Sequence, residues 1–226
     1  MIGVFGGTFD PIHLGHLRPA LEVMEGLALS EMRFIPGAVP PHRDQPFFSA
    51  EQRAKMVSLA IEGQAGFRLD RREIERSHAD RGTPSYTVET LESLREELGD
   101  DVPLFLLLGT DAFLGLQSWH RWEEISALSN IVVMTRPGYV LDKQSAIYSA
   151  FEENIIPLDG GVEEPVVTPI LVSAPKGKVI MFPVTQLDVS ATDIRKRLQN
   201  KESVRYLVPS ELTEILSSVD QYATPR

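Results

Sequence analysis

The sequence predicts an α/β fold: a doubly wound parallel sheet with a helical cap at the C-terminal end. Three observations predict it. Apolar runs of strand length alternate with segments of helical periodicity along most of the chain, as they do where crossover helices join parallel strands. One run, Pro103 to Leu108, is apolar throughout, as a strand covered on both faces must be. The first run, Ile2 to Phe5, stops at Gly6-Gly7 and leads into a helix start, the corner that receives phosphate groups in open α/β sheets.

In chain order, Leu17, Leu21, Met24 and Leu27–Ala28 recur at helical spacing, with Gly26 weakening the end. Met32 to Pro36 is a second short strand. A loop follows from Gly37 to Phe48, stiffened by Pro40-Pro41. Ser49-Ala50-Glu51-Gln52 has the form of a capping box, and Met56, Leu59 and Ala60 carry its helix to Gly63. Phe67 to Ile74 reads as a strand, with Arg71, Arg72, Glu73, Glu75 and Arg76 as a solvated face. His78 to Pro84 is a polar loop. Val88, Leu91, Leu94 and Leu98 mark a helix closed by Gly99.

The apolar strand ending at Leu108 turns at Gly109-Thr110-Asp111. Gly115 to Trp122 is a loop-to-helix passage, and Ile131 to Met134 is a buried strand. From Tyr139 to Gly177 the pattern gives only a helix around Gln144 to Glu153, and Val179 to Phe182 is the last strand. Ser190-Ala191-Thr192-Asp193 caps a helix through Ile194 and Leu198, and Val204 to Ser218 closes the chain in helical turns from Pro209. No linker or repeat interrupts this order. Residues 1–226 therefore read as one domain, with about 190–226 a helical C-terminal subregion.

Composition narrows the function classes. The net charge of −10, from 22 basic and 32 acidic residues, argues against nucleic acid or an anionic membrane as partner, since both call for a basic field. Phosphates must then be held by a local cluster. The chain has no cysteine, hence no disulfide framework, no thiolate zinc site and no cysteine nucleophile. No basic leader precedes a long apolar segment, and no apolar run approaches the ~18–20 residues of a membrane span. These features lead us to expect a cytoplasmic protein, and leave assembly into a homo-oligomer open.

Several stretches carry chemistry. Gly6-Gly7 is followed by His13 and His16 at the head of one helix, where imidazoles add donors that can be cationic near neutral pH. Neither a G-x-G-x-x-G fingerprint nor a Walker Gly-Lys-Ser/Thr follows. Ser190 to Arg195 is a second helix start, carrying a fixed cation. Pro40-Pro41-His42-Arg43 is a stiff polar loop. Trp119 sits in a polar loop past a strand end, where its face could stack on a flat heterocycle, whereas Trp122 reads as core. Each stretch alone also has a plain reading as a turn, a cap or a packed aromatic.

Together these stretches resemble the nucleotidylyltransferase superfamily. Gly6-Gly7-Thr8-Phe9-Asp10-Pro11, Pro84-Ser85-Tyr86-Thr87 and Trp119-His120-Arg121-Trp122 resemble bacterial nicotinate-nucleotide adenylyltransferase most closely. The resemblance implies a Rossmann-like sheet on which Gly6, Gly7, Thr8 and Phe9 cradle the ATP phosphates, with His13 and His16 directed at them. It implies a catalytic group of His13, His16 and Arg195, acting as charge stabilisers. Ser190 and Thr192 would complete the phosphate site. Ala191 stands where the family pattern ISSTxIR has serine, so it is given no side-chain role. Gly109 and Asp111 would meet the adenosine. Tyr86, Thr87, Trp119 and His120 would hold the acceptor, with the tryptophan stacked on a pyridine ring. Arg43 stands at the lysine of the family's PPHK and keeps its positive charge with a different geometry.

The implied activity is adenylyl transfer from ATP to nicotinate mononucleotide, giving deamido-NAD and pyrophosphate. Mg²⁺ would come with ATP, and no protein metal site is expected. The alternatives are a sister adenylyltransferase acting on nicotinamide mononucleotide or phosphopantetheine, or a nucleotide sensor without catalysis.

Overall fold

The computed structural model describes residues 1–38, 45–79, 85–136, 138–157 and 174–217. Seven strands lie in one sheet: β1 (Ile2–Gly7), β2 (Glu31–Pro36), β3 (Phe67–Leu69), β4 (Leu104–Gly109), β5 (Asn130–Thr135), β6 (Ile155–Pro157) and β7 (Val179–Pro183). Their order is β3-β2-β1-β4-β5-β7-β6, and every pairing is parallel. Strand order reverses between β1 and β4, the position at which doubly wound sheets open a ligand crevice. Pairing marks the opening. β1 follows β2 through Gly7↔Pro36, but follows β4 only as far as Val4↔Leu106. Beyond that point the two strands part, leaving Gly6 and Gly109 exposed at the C-terminal edge.

Side chains alternate across a strand, so the continuous apolar runs divide into two cores. Phe5, Phe34, Phe105, Leu107, Val132, Met134, Ile180 and Phe182 face one layer. That layer holds α1 (Leu14–Gly26), α2 (Ala50–Ala60), α8 (Ala191–Gln199) and α9 (Ser210–Ser217). Ile2, Val4, Leu104, Leu106, Leu108, Ile131, Val133, Val179 and Met181 face the other. It holds α4 (Thr87–Leu98), α5 (Thr110–Leu114), α6 (Trp122–Leu128) and α7 (Ala146–Phe151). The C-terminal helices join the α1 core through Ile194, Leu198, Leu212 and Leu216.

The caps follow the sequence. Ser49 Oγ accepts the Gln52 N–H at 3.2 Å and Gln52 Oε1 accepts the Ser49 N–H at 2.9 Å. Gly99 closes α4 at φ +83°, a backbone that side chains disfavour.

Two stretches differ from the expected reading, and a third gains detail. The strand expected over Phe67 to Ile74 ends at Leu69. Asp70 then accepts the Arg72 N–H at 3.0 Å, and α3 (Arg72–Ala79) begins. The charge run is thus a helix burying Glu73, Ile74 and Ser77 on one side. The loop-to-helix passage from Gly115 resolves into a 3₁₀ turn (Leu116–Ser118) and α6. The edge strand β6 lies in the stretch that showed no strand pattern.

At the N-terminal edge of the sheet the chain is tied by one side chain. Arg95 of α4 is 8% exposed. It donates to the carbonyls of Leu128 at 2.7 Å, Gly99 at 3.0 Å, Asp100 at 3.2 Å, Val102 at 2.7 Å and Pro175 at 2.9 Å. These carbonyls precede β4, β5 and β7, so one guanidinium satisfies the loops that start three strands.

Candidate active site

The site grows from the end of β1. Phe9 is buried in a left-handed conformation at φ 48°, which costs a non-glycine residue of order 1 kcal/mol or more. Its ring lies over Gly7, where a Cβ would meet it at 3.0 Å. It meets Phe5 edge-on at 5.6 Å and His16 edge-on at 5.1 Å. The turn thus turns the Phe9 side chain inward beneath the loop and leaves Gly6 open to the crevice.

His13 is the N-cap residue of α1, and its ring stacks on His16 with centroids 3.8 Å apart. Gly15 is glycine for a spatial reason: a Cβ there would meet the His13 ring at 3.0 Å and the Val189 carbonyl at 3.3 Å. The glycine between the histidines lets the segment leading into α8 pass against the head of α1.

The His13 N–H donates to His16 Nδ1 at 3.3 Å. A neutral His16 therefore carries its proton on Nε2, which becomes a donor. His13 Nδ1 is buried without a partner. Burial pushes the His13 imidazole down to about 4. His16 lies well below the usual histidine value, held there by burial first and by His13 second. This corrects one expectation: near pH 7 the pair is neutral and offers N–H donors, not two positive charges. The head of α1 also offers fewer free backbone donors than a bare helix start, because Leu14 N–H is taken by the Leu207 carbonyl at 3.0 Å.

The fixed cation comes from α8. Ser190 caps this helix through Asp193 N–H at 3.1 Å. One turn on, Arg195 Nη1 donates to the Asp10 carbonyl at 2.6 Å, and Nη2 to Thr192 Oγ1 at 3.2 Å. Two motifs about 180 residues apart are therefore one structure. Ser190 and Thr192 are exposed and Arg195 is half-buried. At the end of β4, Gly109 and Asp111 are exposed at the start of α5, and Thr110 Oγ1 donates to the Met134 carbonyl at 3.3 Å.

The residues expected to hold the acceptor form a second group on the other layer. Tyr86 precedes α4 as its N-cap, Thr87 opens the helix, and the Tyr86 ring lies 4.4 Å from that of His120. Trp119 is half-buried and packs partly against the α4–α6 core. Trp122 packs there too, edge-on to Phe151 at 6.2 Å. Arg43 lies outside the described residues.

Two buried residues that contact the loop after β1 or its neighbours were not singled out by the sequence. Asp10 is 7% exposed and accepts the N–H groups of Phe47 at 2.8 Å and Phe48 at 2.9 Å. Arg53 of α2 is fully buried. Its signal was present: it occupies the row of Met56, Val57 and Ala60, where helical periodicity calls for an apolar residue.

Comparison with known proteins shows what the chain is similar to. The family model described as cytidylyltransferase-like matches residues 4–197. A Methylococcus capsulatus protein named "Probable nicotinate-nucleotide adenylyltransferase" is 42% identical, over 99% of this chain and 100% of its own. One of the same name from Pseudomonas putida is 43% identical, over 99% and 95%. Among solved structures, Plasmodium falciparum nicotinic acid mononucleotide adenylyltransferase complexed with NaAD superposes with a TM-score of 0.70. That match covers 99% of this chain and 98% of the other at 15% identity, and so speaks for the fold. On the family match and the full-length relatives, the chain belongs to the cytidylyltransferase-like family and, within it, to the nicotinate-nucleotide adenylyltransferases.

Proposed function

We propose that the chain transfers the adenylyl group of ATP to nicotinate mononucleotide, forming deamido-NAD and releasing pyrophosphate. The observation that carries the reading is the meeting of Arg195 with Asp10 beside the stacked His13 and His16, at the crevice where β1 and β4 part. Full-length relatives bearing that activity's name support it.

In this reading the acceptor's 5′-phosphate attacks the α-phosphorus of ATP, and the bond to pyrophosphate breaks. The nucleophile is already an anion, so no side chain need remove a proton. The protein's part is to hold two anions in line and to stabilise charge moving onto pyrophosphate. Arg195 supplies a fixed positive charge. His16 Nε2–H and the backbone of residues 6–9 supply donors, with Ser190 and Thr192 at the second helix start. Tyr86, Thr87, Trp119 and His120 hold the pyridine end, with Arg43 at the acceptor phosphate.

Among the described residues no group of three or more His, Asp or Glu side chains is placed to hold a metal, and both Asp10 carboxylate oxygens already accept backbone N–H groups. Those residues fit a Mg²⁺ that arrives on ATP and is held by phosphate and water oxygens. Bound there, it would neutralise phosphate charge.

The partners we propose are these two small molecules, not nucleic acid. Among the described residues no helix is long and apolar enough to cross a membrane, and we propose a cytoplasmic place of action. The test is pyrophosphate release with ATP-Mg²⁺ and each mononucleotide in turn. We expect turnover with the acid form and at least ~10-fold less with the amide, because an acceptor-loop backbone N–H that meets a carboxylate is mismatched to an amide N–H₂. Absence of turnover with either would overturn the enzyme reading, and equal turnover would overturn the acid preference.

A further inference from the structure

Arg53 presents a problem that burial makes acute. Its guanidinium is fully buried, and among the described residues it makes no contact with a carboxylate. Nε donates to the Phe48 carbonyl at 3.2 Å, Nη1 to the Thr8 carbonyl at 2.6 Å and Nη2 to the Ala38 carbonyl at 3.1 Å. Asp10 and Glu73 are the acids whose field reaches it. A buried charge with no carboxylate beside it costs stability, and here three carbonyls that would otherwise lack a donor offset that cost.

What it does is geometric. Thr8 belongs to the loop after β1, Ala38 follows β2, and Phe48 precedes α2. The planar fork holds these three segments in one fixed relation, with Asp10 adding a second tie from the same loop to Phe47 and Phe48. The Asp10 carbonyl is in turn the acceptor that anchors Arg195. The chain of contacts runs from Arg53 to residues 8–10 and from there to Arg195.

We propose that Arg53 is a positioning residue: it fixes the backbone of residues 8–10, and through Asp10 the Arg195 guanidinium, in the geometry that adenylyl transfer requires. This rests on the function proposed above. Lysine keeps the charge but offers one nitrogen where the fork offers three, so Arg53→Lys should loosen the loop without emptying the space.

The test compares Arg53→Lys and Arg53→Met with Arg95→Lys, each assayed at the same interval below its own Tm. Arg95 is an equally carbonyl-bound arginine at the far edge of the sheet, and serves as the control for destabilisation alone. For both Arg53 variants kcat should fall ~10-fold or more, as small misplacements of reacting groups do. The loss in kcat should exceed any rise in the KM for nicotinate mononucleotide, because Tyr86, Thr87, Trp119 and His120 lie outside the three segments that Arg53 holds. Arg95→Lys should keep kcat. Arg53 variants with wild-type kcat, or losing kcat no more than Arg95→Lys does, would overturn the proposal. So would failure of both to fold, which would make Arg53 a residue of global stability. A wild-type chain that releases no pyrophosphate would instead overturn the function.

Discussion

Two edges of one sheet use the same device to different ends. At the N-terminal edge Arg95 collects five carbonyls from the loops that begin β4, β5 and β7. At the C-terminal edge Arg53 collects three, from the loops that follow β1 and β2 and precede α2. Both are buried and both answer orphan carbonyls. They differ in what stands beside them. Each edge has a left-handed non-glycine residue, Ala28 before β2 and Phe9 after β1, but the buried side-chain atoms without a partner among those described, His13 Nδ1 and Ser85 Oγ, precede α1 and α4 at the C-terminal edge. Around Arg53 there are Phe9 at φ 48°, His13 with an open Nδ1, and Arg195 held on a carbonyl. Unsatisfied groups collect where a fold binds, because the ligand can satisfy what the fold leaves open. One arginine closes the sheet; the other holds open a place in it.

The largest expected effect breaks this comparison at the structural edge. Arg95→Met leaves five carbonyls without their donor, and we expect about 4 kcal/mol or more of lost stability, the scale seen when a buried charged network is opened. Urea unfolding at pH 7 measures it. A loss under about 1 kcal/mol would show that water reaches those loops and that the two edges are not alike. Activity per folded molecule should not change.

The next effect belongs to the binding edge. Burial holds the His13 imidazole down to about 4, below the ~6.5 of an unfolded chain. Between these values the unfolded chain binds the proton and the folded chain does not. Stability is therefore fully present above ~6.5 and is lost as pH falls through about 4, by an amount on the order of 3 kcal/mol. Unfolding midpoints at pH 7.5 and pH 4.5 should differ, and the difference should shrink in His13→Gln. An unchanged pH slope in that variant would mean that His13 is solvated. The sign also favours binding: an anion beside the ring would raise its affinity for a proton, so phosphate binding should become tighter as pH falls toward 6.

How far the sequence reaches follows the same division. The sheet was legible because its strands are buried on both faces and its helices carry ordinary caps: Ser49, Gly99 and Ser190 mark their helices as expected. The misread stretch from Phe67 to Ile74 has a physical cause. Alternating charge mimics a strand, whereas Asp70 starts a helix that buries Glu73 against Thr90 at 2.7 Å, a contact no local pattern announces. In the site, the residues that would touch ligand stand in recognisable motifs, but those that hold them do not. Arg53 and Asp10 act through backbone carbonyls and N–H groups of distant segments, and backbone partners leave no mark in the sequence. The protonation of His13 and His16 was likewise out of reach, because burial sets it.

The smallest effect separates two tryptophans three residues apart. Trp119 and Trp122 both pack against the α4–α6 core. Trp122 continues inward to Phe151, while Trp119 is followed by His120, whose ring faces Tyr86 at 4.4 Å. If Trp119 provides the stacking face for a pyridine ring, Trp119→Ala should raise the KM for nicotinate mononucleotide by the equivalent of roughly 1–2 kcal/mol, on the scale of base–aromatic stacking. The KM for ATP should hold. Trp122→Ala should do the reverse, lowering Tm by several degrees with little change in either KM, as removal of a core aromatic does. Steady-state kinetics and thermal unfolding of both variants decide it. If both lower Tm and neither raises the acceptor KM, Trp119 belongs with the core, and recognition of the ring falls to Tyr86 and His120. Their tilted pair already presents two aromatic faces at the mouth of α4.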